Sequence, residues 1–168
     1  ANRQLDKNTF ERLALLDFVR SHENVIITGA TGTGKSYLAQ ALGNQACMML
    51  FKTLYHNTAR LMDHLKLARL EGSYTKHLKK IEKAELLILD DFGLSAFDNQ
   101  ARQALMDIIE CKYDRSSIII GSQIPISGWH DIIGEGTIAD AILDRIVHSS
   151  HRIQLKGESL RKNILRQK

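Results

Sequence analysis

Residues 29–36 read Gly29-Ala30-Thr31-Gly32-Thr33-Gly34-Lys35-Ser36, a full match to G-x-x-x-x-G-K-[ST]. The chemistry of that spacing is phosphate binding. Glycines let the backbone wrap closely around an anion and turn its N–H groups inward. A helix that opens at Lys35 adds partial positive charge facing the same anion. Lys35 can reach the β- and γ-phosphates of ATP, and the Ser36 hydroxyl can ligate Mg²⁺. Further along, Leu86-Leu87-Ile88-Leu89-Asp90-Asp91 is an apolar run that ends in two carboxylates. Asp90 is the natural group to hold Mg²⁺ through its water shell. Asp91 points differently and can orient and polarise an attacking water. The pair favours hydrolysis over nucleotide binding alone.

These groups need a scaffold that brings the ends of several strands together. Short β-branched runs alternate with longer amphipathic stretches, the pattern of βαβ units and a mostly parallel sheet. Strands are expected at Val25–Thr28, Thr53–His56, Leu86–Asp90, Ser117–Gly121 and Arg152–Leu155. The Leu86–Leu89 and Ile118–Ile120 runs are apolar without alternation, as expected when helices cover both sheet faces. Helices are expected over 35–49, 58–70, 76–83, 100–112 and 138–147, with a short one near 158–167. Residues Leu5–Arg20 read as a further helix, with Phe10, Leu13, Leu16 and Val19 at three-residue steps. The expected fold class is α/β, a five-stranded sheet in a single core domain spanning 1–168.

Composition narrows the class. The 168 residues are 43% hydrophobic and 25% charged, which excludes disordered and fibrous chains. No stretch approaches the ~20 apolar residues of a membrane span, and no membrane partner is expected. The polar start carries no signal peptide. Two cysteines, Cys47 and Cys111, are too few for a disulfide scaffold, so a cytoplasmic compartment is expected. Both fall on expected helices and read as buried small hydrophobes. The histidines His56, His64, His77 and His130 form no metal-ligand spacing with them.

The net charge of +4 conceals an asymmetry. Residues 52–83 carry eight Lys/Arg against three Asp/Glu, whereas residues 84–150 carry four against eleven. Within the basic segment, Lys76, Lys79, Lys80 and Lys83 stand at i, i+3, i+4 and i+7, one face of a helix. Leu78 and Ile81 fall on other sides and can dock that helix, while Lys66 and Arg69 extend the charge on the preceding one. Like charges on one face repel unless a polyanion neutralises them. Tyr74 is the one aromatic near that face, so phosphate contacts with little sequence specificity are expected rather than base stacking. A solvated lysine face is the alternative.

The loop Gly29–Ser36, the run Leu86–Leu94, Ser122-Gln123-Ile124-Pro125 and the stretch from Ile138 through Arg145 to Leu160-Arg161-Lys162 occur in one order and spacing. With Trp129-His130, Ala139–Arg145 and Leu155–Lys162, they resemble the IstB transposition helpers, AAA+ P-loop ATPases that serve a transposase. DnaC-type helicase loaders are similar in their ATPase core. The resemblance implies a bacterial, cytoplasmic ATPase that assembles into a ring or helical oligomer on DNA. It implies that Gln123, with Ser122 as the adjacent alternative, is a polar sensor of the γ-phosphate or lytic water. It implies that Arg145 is an arginine finger reaching the next subunit, and that Arg161 is a second sensor arginine. The segment 52–83 lies where the family's DNA-facing helical element stands. Asp91 replaces the glutamate of most AAA+ proteins but matches the helper and loader families. Few residues precede the first strand or follow Arg161, which reads as an ATPase core without a full lid or an N-terminal partner-binding region. A helicase loader and, from another class, a small P-loop metabolite kinase are the alternatives. A nucleotide-gated module with negligible hydrolysis is a third.

Overall fold

The computed structural model describes residues 2–156, with side chains from Asn8 onward. All five apolar runs form strands: β1 (Asn24–Gly29), β2 (Thr53–Asn57), β3 (Leu86–Asp90), β4 (Ser117–Ser122) and β5 (Ser150–Leu155). They lie in the order β2-β3-β4-β1-β5, and every adjacent pair is parallel. The connection from β1 leads toward β2 at one edge, and that from β4 leads to β5 at the other. Neighbouring strands β1 and β4 thus send their chains in opposite directions, the switch point where parallel sheets open a binding crevice.

Helices α1 (Asn2–Leu13), α2 (Asp17–Arg20) and α3 (Lys35–Met48) serve one face. There Leu13, Phe18, Ala39, Leu42 and Ala46 pack on Val25, Ile27, Ile88 and Ile119. Helices α4 (Thr58–Glu71), α5 (Tyr74–Lys83), α6 (Asn99–Lys112), α7 (Trp129–Ile133) and α8 (Gly136–Val147) cover the other. Its core joins Leu61, Leu65, Ile81, Leu105, Trp129 and Ile142 to Ile26, Leu87, Leu89 and Ile120. Successive strand residues therefore enter opposite cores. This is why β3 is buried at all five positions and reads as an unbroken apolar run.

Two local expectations need correction. Leu5–Arg20 is not one helix: the chain breaks after Leu13, and Leu16 takes a left-handed conformation (φ 63°). Burying Leu16, Phe18 and Val19 against the sheet requires that turn. Cys47 is exposed, and Cys111 is half-buried. Cys47 lies near the C-terminal end of α3, where the helix has run past the sheet, and Met48, Met49 and Leu50 beside it are exposed too. The short helix α7, anticipated by no periodicity, seats the fully buried Trp129, whose indole N–H donates to Ile124 O (2.8 Å). The expected helix near 158–167 lies outside the described residues.

Lys112 is an ionisable group that the apolar pattern hid. It is 1% exposed, and its Nζ donates to Ala84 O (2.5 Å). Burial pushes its ammonium down to about 8. Below that pH the folded protein carries a buried charge whose cost is fully present. The cost is relieved as pH rises from about 8 to the ordinary lysine value of 10.5. Lys112→Met removes the charge but leaves the Ala84 carbonyl without its donor. It should stabilise the fold at pH 7 by about 1–2 kcal/mol. In urea unfolding from pH 7 to 10, wild type should gain on the variant as pH rises; parallel curves would contradict this assignment.

Candidate ATP site

The site lies along the C-terminal ends of β1, β4 and β3. The turn after β1 is closed by Thr33, whose N–H and Oγ1 both bond Ala30 O (3.2 and 2.8 Å). Gly34 caps α3 at φ 95°, a conformation that side chains disfavour, and makes no side-chain cap. The first-turn N–H groups of α3 thus face outward at the positive end of a 14-residue helix. Lys35 is 5% exposed, and its ammonium has no carboxylate or hydrogen-bonded partner among the described residues. A largely buried side chain that ends in a partnerless ammonium beside uncapped amides suits an anion, and it fits a nucleotide's phosphates. Ser36 follows on the first turn of α3. Gly29, Ala30, Thr31 and Gly32 complete the loop, with Ala30 and Thr31 exposed at its rim.

Asp90 ends β3 and is 2% exposed. Its Oδ1 accepts from the Asp91 amide (2.9 Å) and its Oδ2 from the Tyr55 hydroxyl (2.5 Å). The Thr58 hydroxyl donates to the Asp90 carbonyl (2.8 Å). Gly121 on β4 leaves just enough room, because a Cβ there would stand 2.8 Å from Asp90 Oδ1. Asp91 bends out of the strand at φ 54°, a left-handed conformation that aspartate tolerates better than most side chains. Its Oδ2 accepts from Asn57 Nδ2 (3.1 Å), while Asn57 Oδ1 caps α4 by accepting from Arg60 N (3.2 Å). The two carboxylates therefore look different ways: Asp90 is locked inward and Asp91 is half-buried at the crevice.

Tyr55, Asn57 and Thr58 escaped the sequence reading. Tyr55 and Asn57 lie on β2, which runs beside β3 in register with Asn57 opposite Asp90, and Thr58 opens α4 directly after it. The available signal was a polar cluster ending an apolar strand. Burial and the bond to Asp90 push the Tyr55 phenol up to about 12, so it remains a donor.

Hydrogen bonding distinguishes the two candidate residues at the end of β4. Ser122 is fully buried; its hydroxyl donates to Phe92 O (2.6 Å) and accepts from Ile124 N (3.0 Å). It braces two loops, and its one proton is already donated. Gln123 is half-buried and leaves the strand just after the Thr28–Ser122 pair, beside the start of the phosphate loop.

Arg145 lies far from this crevice. It sits near the end of α8, with Nη1 on Ala141 O (3.1 Å) and its guanidinium 5.8 Å from the Tyr113 ring centre. Its neighbours Asn24, Ile118 and Ser149 mark the N-terminal edge of the sheet. A strand's length separates it from its own phosphate loop. Arg161 lies outside the described residues.

On α5, Ile81 is buried, Leu78 packs beside it, and Lys76, Lys79, Lys80 and Lys83 line one open, exposed face. Burial first, then His64 and Lys80, push the His56 imidazole below its usual value. Arg69 does not simply extend the lysine row. Its guanidinium lies 3.8 Å over the Tyr74 ring and 3.6 Å from Asp107, and Tyr74 donates to Asp107 (2.5 Å). That network pins α5 to α4 and α6. Lys66 is likewise held by Asp98.

The chain and its fold are similar to known proteins. An insertion-sequence ATP-binding protein of Sinorhizobium fredii (strain NBRC 101917 / NGR234) is 48% identical over 163 residues, covering 97% of this chain and 66% of the relative. One of Pseudomonas aeruginosa is 34% identical over 157 residues, covering 94% and 59%. The chain thus spans just under two thirds of the length of these curated relatives. The crystal structure of the DnaC helicase loader superposes with a TM-score of 0.78 at 20% identity, covering 93% of this chain and 91% of that one. AMPPCP-bound DnaA from Aquifex aeolicus gives 0.76 at 19%, covering 99% and 51%. These two structures share its α/β fold. The family described as IstB-like ATP binding protein matches residues 1–168, and the chain belongs to it.

Proposed function

We propose that this chain is the ATP-hydrolysing part of an insertion-sequence helper that grips DNA, assembles with copies of itself, and recruits a transposase. The observation that carries the reading is Lys35, largely buried and without a carboxylate or hydrogen-bonded partner among the described residues, at the uncapped start of α3, together with two differently oriented carboxylates at the end of β3. Backbone amides of residues 29–36 and Lys35 would bind and orient the triphosphate. Mg²⁺ would be held by Ser36 and, through water, by Asp90, and would supply charge neutralisation at the β- and γ-phosphates. Asp91 is free to orient an attacking water and draw its proton, and Gln123 lies where its amide can hold that water or the γ-phosphate. Arg145 would act on the nucleotide of a neighbouring copy. Similarity to helper relatives supports the transposition setting over helicase loading.

The lysine face of α5 is the proposed DNA contact, through phosphates and without base reading. In wild type, duplex DNA should raise ATP turnover with no small-molecule acceptor present. The Lys76/Lys79/Lys80 triple alanine should flatten the slope of log affinity against log salt by up to about 3, with ATP binding kept. Turnover that requires a hydroxyl acceptor and ignores DNA would sink the helper reading. An unchanged salt slope would remove α5 from the DNA path.

A further inference from the structure

We infer that Tyr55 is a positioning residue for the metal-holding carboxylate: its hydroxyl fixes the orientation in which Asp90 meets the Mg²⁺ that accompanies ATP. The inference rests on the ATPase reading above and adds to it a residue outside both acidic and phosphate-loop motifs.

Asp90 is constrained from three sides. The Asp91 amide holds Oδ1 (2.9 Å), Tyr55 holds Oδ2 (2.5 Å), and the backbone of β4 at Gly121 leaves no space for a Cβ beside Oδ1. A carboxylate presents about four lone-pair directions. Two are taken by these donors, which fixes the orientation of the carboxylate and of the directions left over. Tyr55 stands opposite Ile88 on the neighbouring strand, one pleat before Asp90, so its ring spans the diagonal between strands. The Thr58 bond to the Asp90 carbonyl fixes the backbone there, but not the side-chain torsion. Tyr55 is the one side chain among the described residues that donates to the Asp90 carboxylate. Metal-site groups of this kind, which touch the ligand rather than the ion, commonly alter metal affinity by about 10–100-fold.

The Tyr55 ring is 44% exposed, so Tyr55→Phe removes the hydroxyl with little loss of packing. The test follows binding of a fluorescent ATP analogue in EDTA and then across a Mg²⁺ titration, with the unfolding midpoint measured alongside. In EDTA, Tyr55→Phe should bind as wild type does. The Mg²⁺ concentration giving half of the metal-dependent gain should rise about 10-fold or more. In an Asp90→Asn background, adding Tyr55→Phe should change nothing further, since the two act as one unit. A wild-type Mg²⁺ titration in Tyr55→Phe would overturn the inference, as would an equal shift in the Asp90→Asn background. Wild type that binds the analogue but gains nothing from Mg²⁺ would also overturn it, while leaving nucleotide binding intact. Wild type that binds no analogue at all would sink the ATPase reading itself.

Discussion

Alanine at Arg145 should lower ATP turnover by about 10³–10⁵-fold while ATP binding stays near wild type. A guanidinium in trans stabilises the charge that spreads over the transferring phosphoryl group, so its loss falls on the chemical step. The geometry leaves no route in cis. Arg145 shares the N-terminal edge of the sheet with Asn24, Ile118 and Ser149, whereas the phosphate loop leaves the C-terminal end of β1. The six residues of β1 alone span about 20 Å, well beyond an arginine's reach. Arg145 is also only lightly held, by one backbone carbonyl and a distant ring, so it can be redirected at modest cost. Mixing Arg145→Ala with Asp91→Asn chains provides the decisive measurement. Each alone should turn over poorly, yet a mixed assembly would contain sites with an intact Asp91 from one chain and an intact Arg145 from another. Turnover recovered on mixing establishes a shared site. No recovery across mixing ratios would return Arg145 to a structural role at the end of α8.

Asp91→Asn should reduce turnover by about 10²–10⁴-fold and leave nucleotide affinity within a few-fold. Asparagine has nearly the same shape and also tolerates the left-handed conformation recorded at φ 54°, so the fold should persist. What changes is the charge that accepts a proton from water. The Asn57 contact, at 3.1 Å in the native protein, can be kept by an amide oxygen. Single-turnover hydrolysis beside equilibrium binding separates the two effects. A variant that binds ATP normally and hydrolyses it at the wild-type rate would exclude Asp91 as the base. Asp90→Asn is expected to differ in kind, because Asp90 is buried among the donors Tyr55 and Asp91 and loses metal-dependent binding as well as turnover.

Much of this protein is legible in its residues. The loop Gly29–Ser36 and the strand ending Asp90-Asp91 are contiguous, so local spacing alone specifies their chemistry. The central strands β3 and β4 were legible because a sheet covered on both faces demands unbroken apolar runs, and Leu86–Leu89 and Ile118–Ile120 supply them. The lysine spacing from Lys76 to Lys83 likewise fixed one helical face, since helical period is a local property. Leu5–Arg20 misled for the complementary reason: its three-residue apolar steps suit a helix, but burying Leu16 and Phe18 requires the chain to turn.

Only the tertiary structure decided how distant segments meet. Strand order β2-β3-β4-β1-β5 puts Tyr55, Asn57 and Thr58 against Asp90 and Asp91, and apolar periodicity carries no information about which strands are neighbours. The same packing commits Ser122 to Phe92 and Ile124, leaving Gln123 at the crevice, and turns Arg69 onto Tyr74 and Asp107. It also sets Arg145 a full strand length from the phosphates of its own chain. Residue types and spacing thus singled out the groups to which the proposed chemistry is assigned. Long-range pairing determined which side chains hold that chemistry in place, because such contacts depend on topology rather than on local pattern.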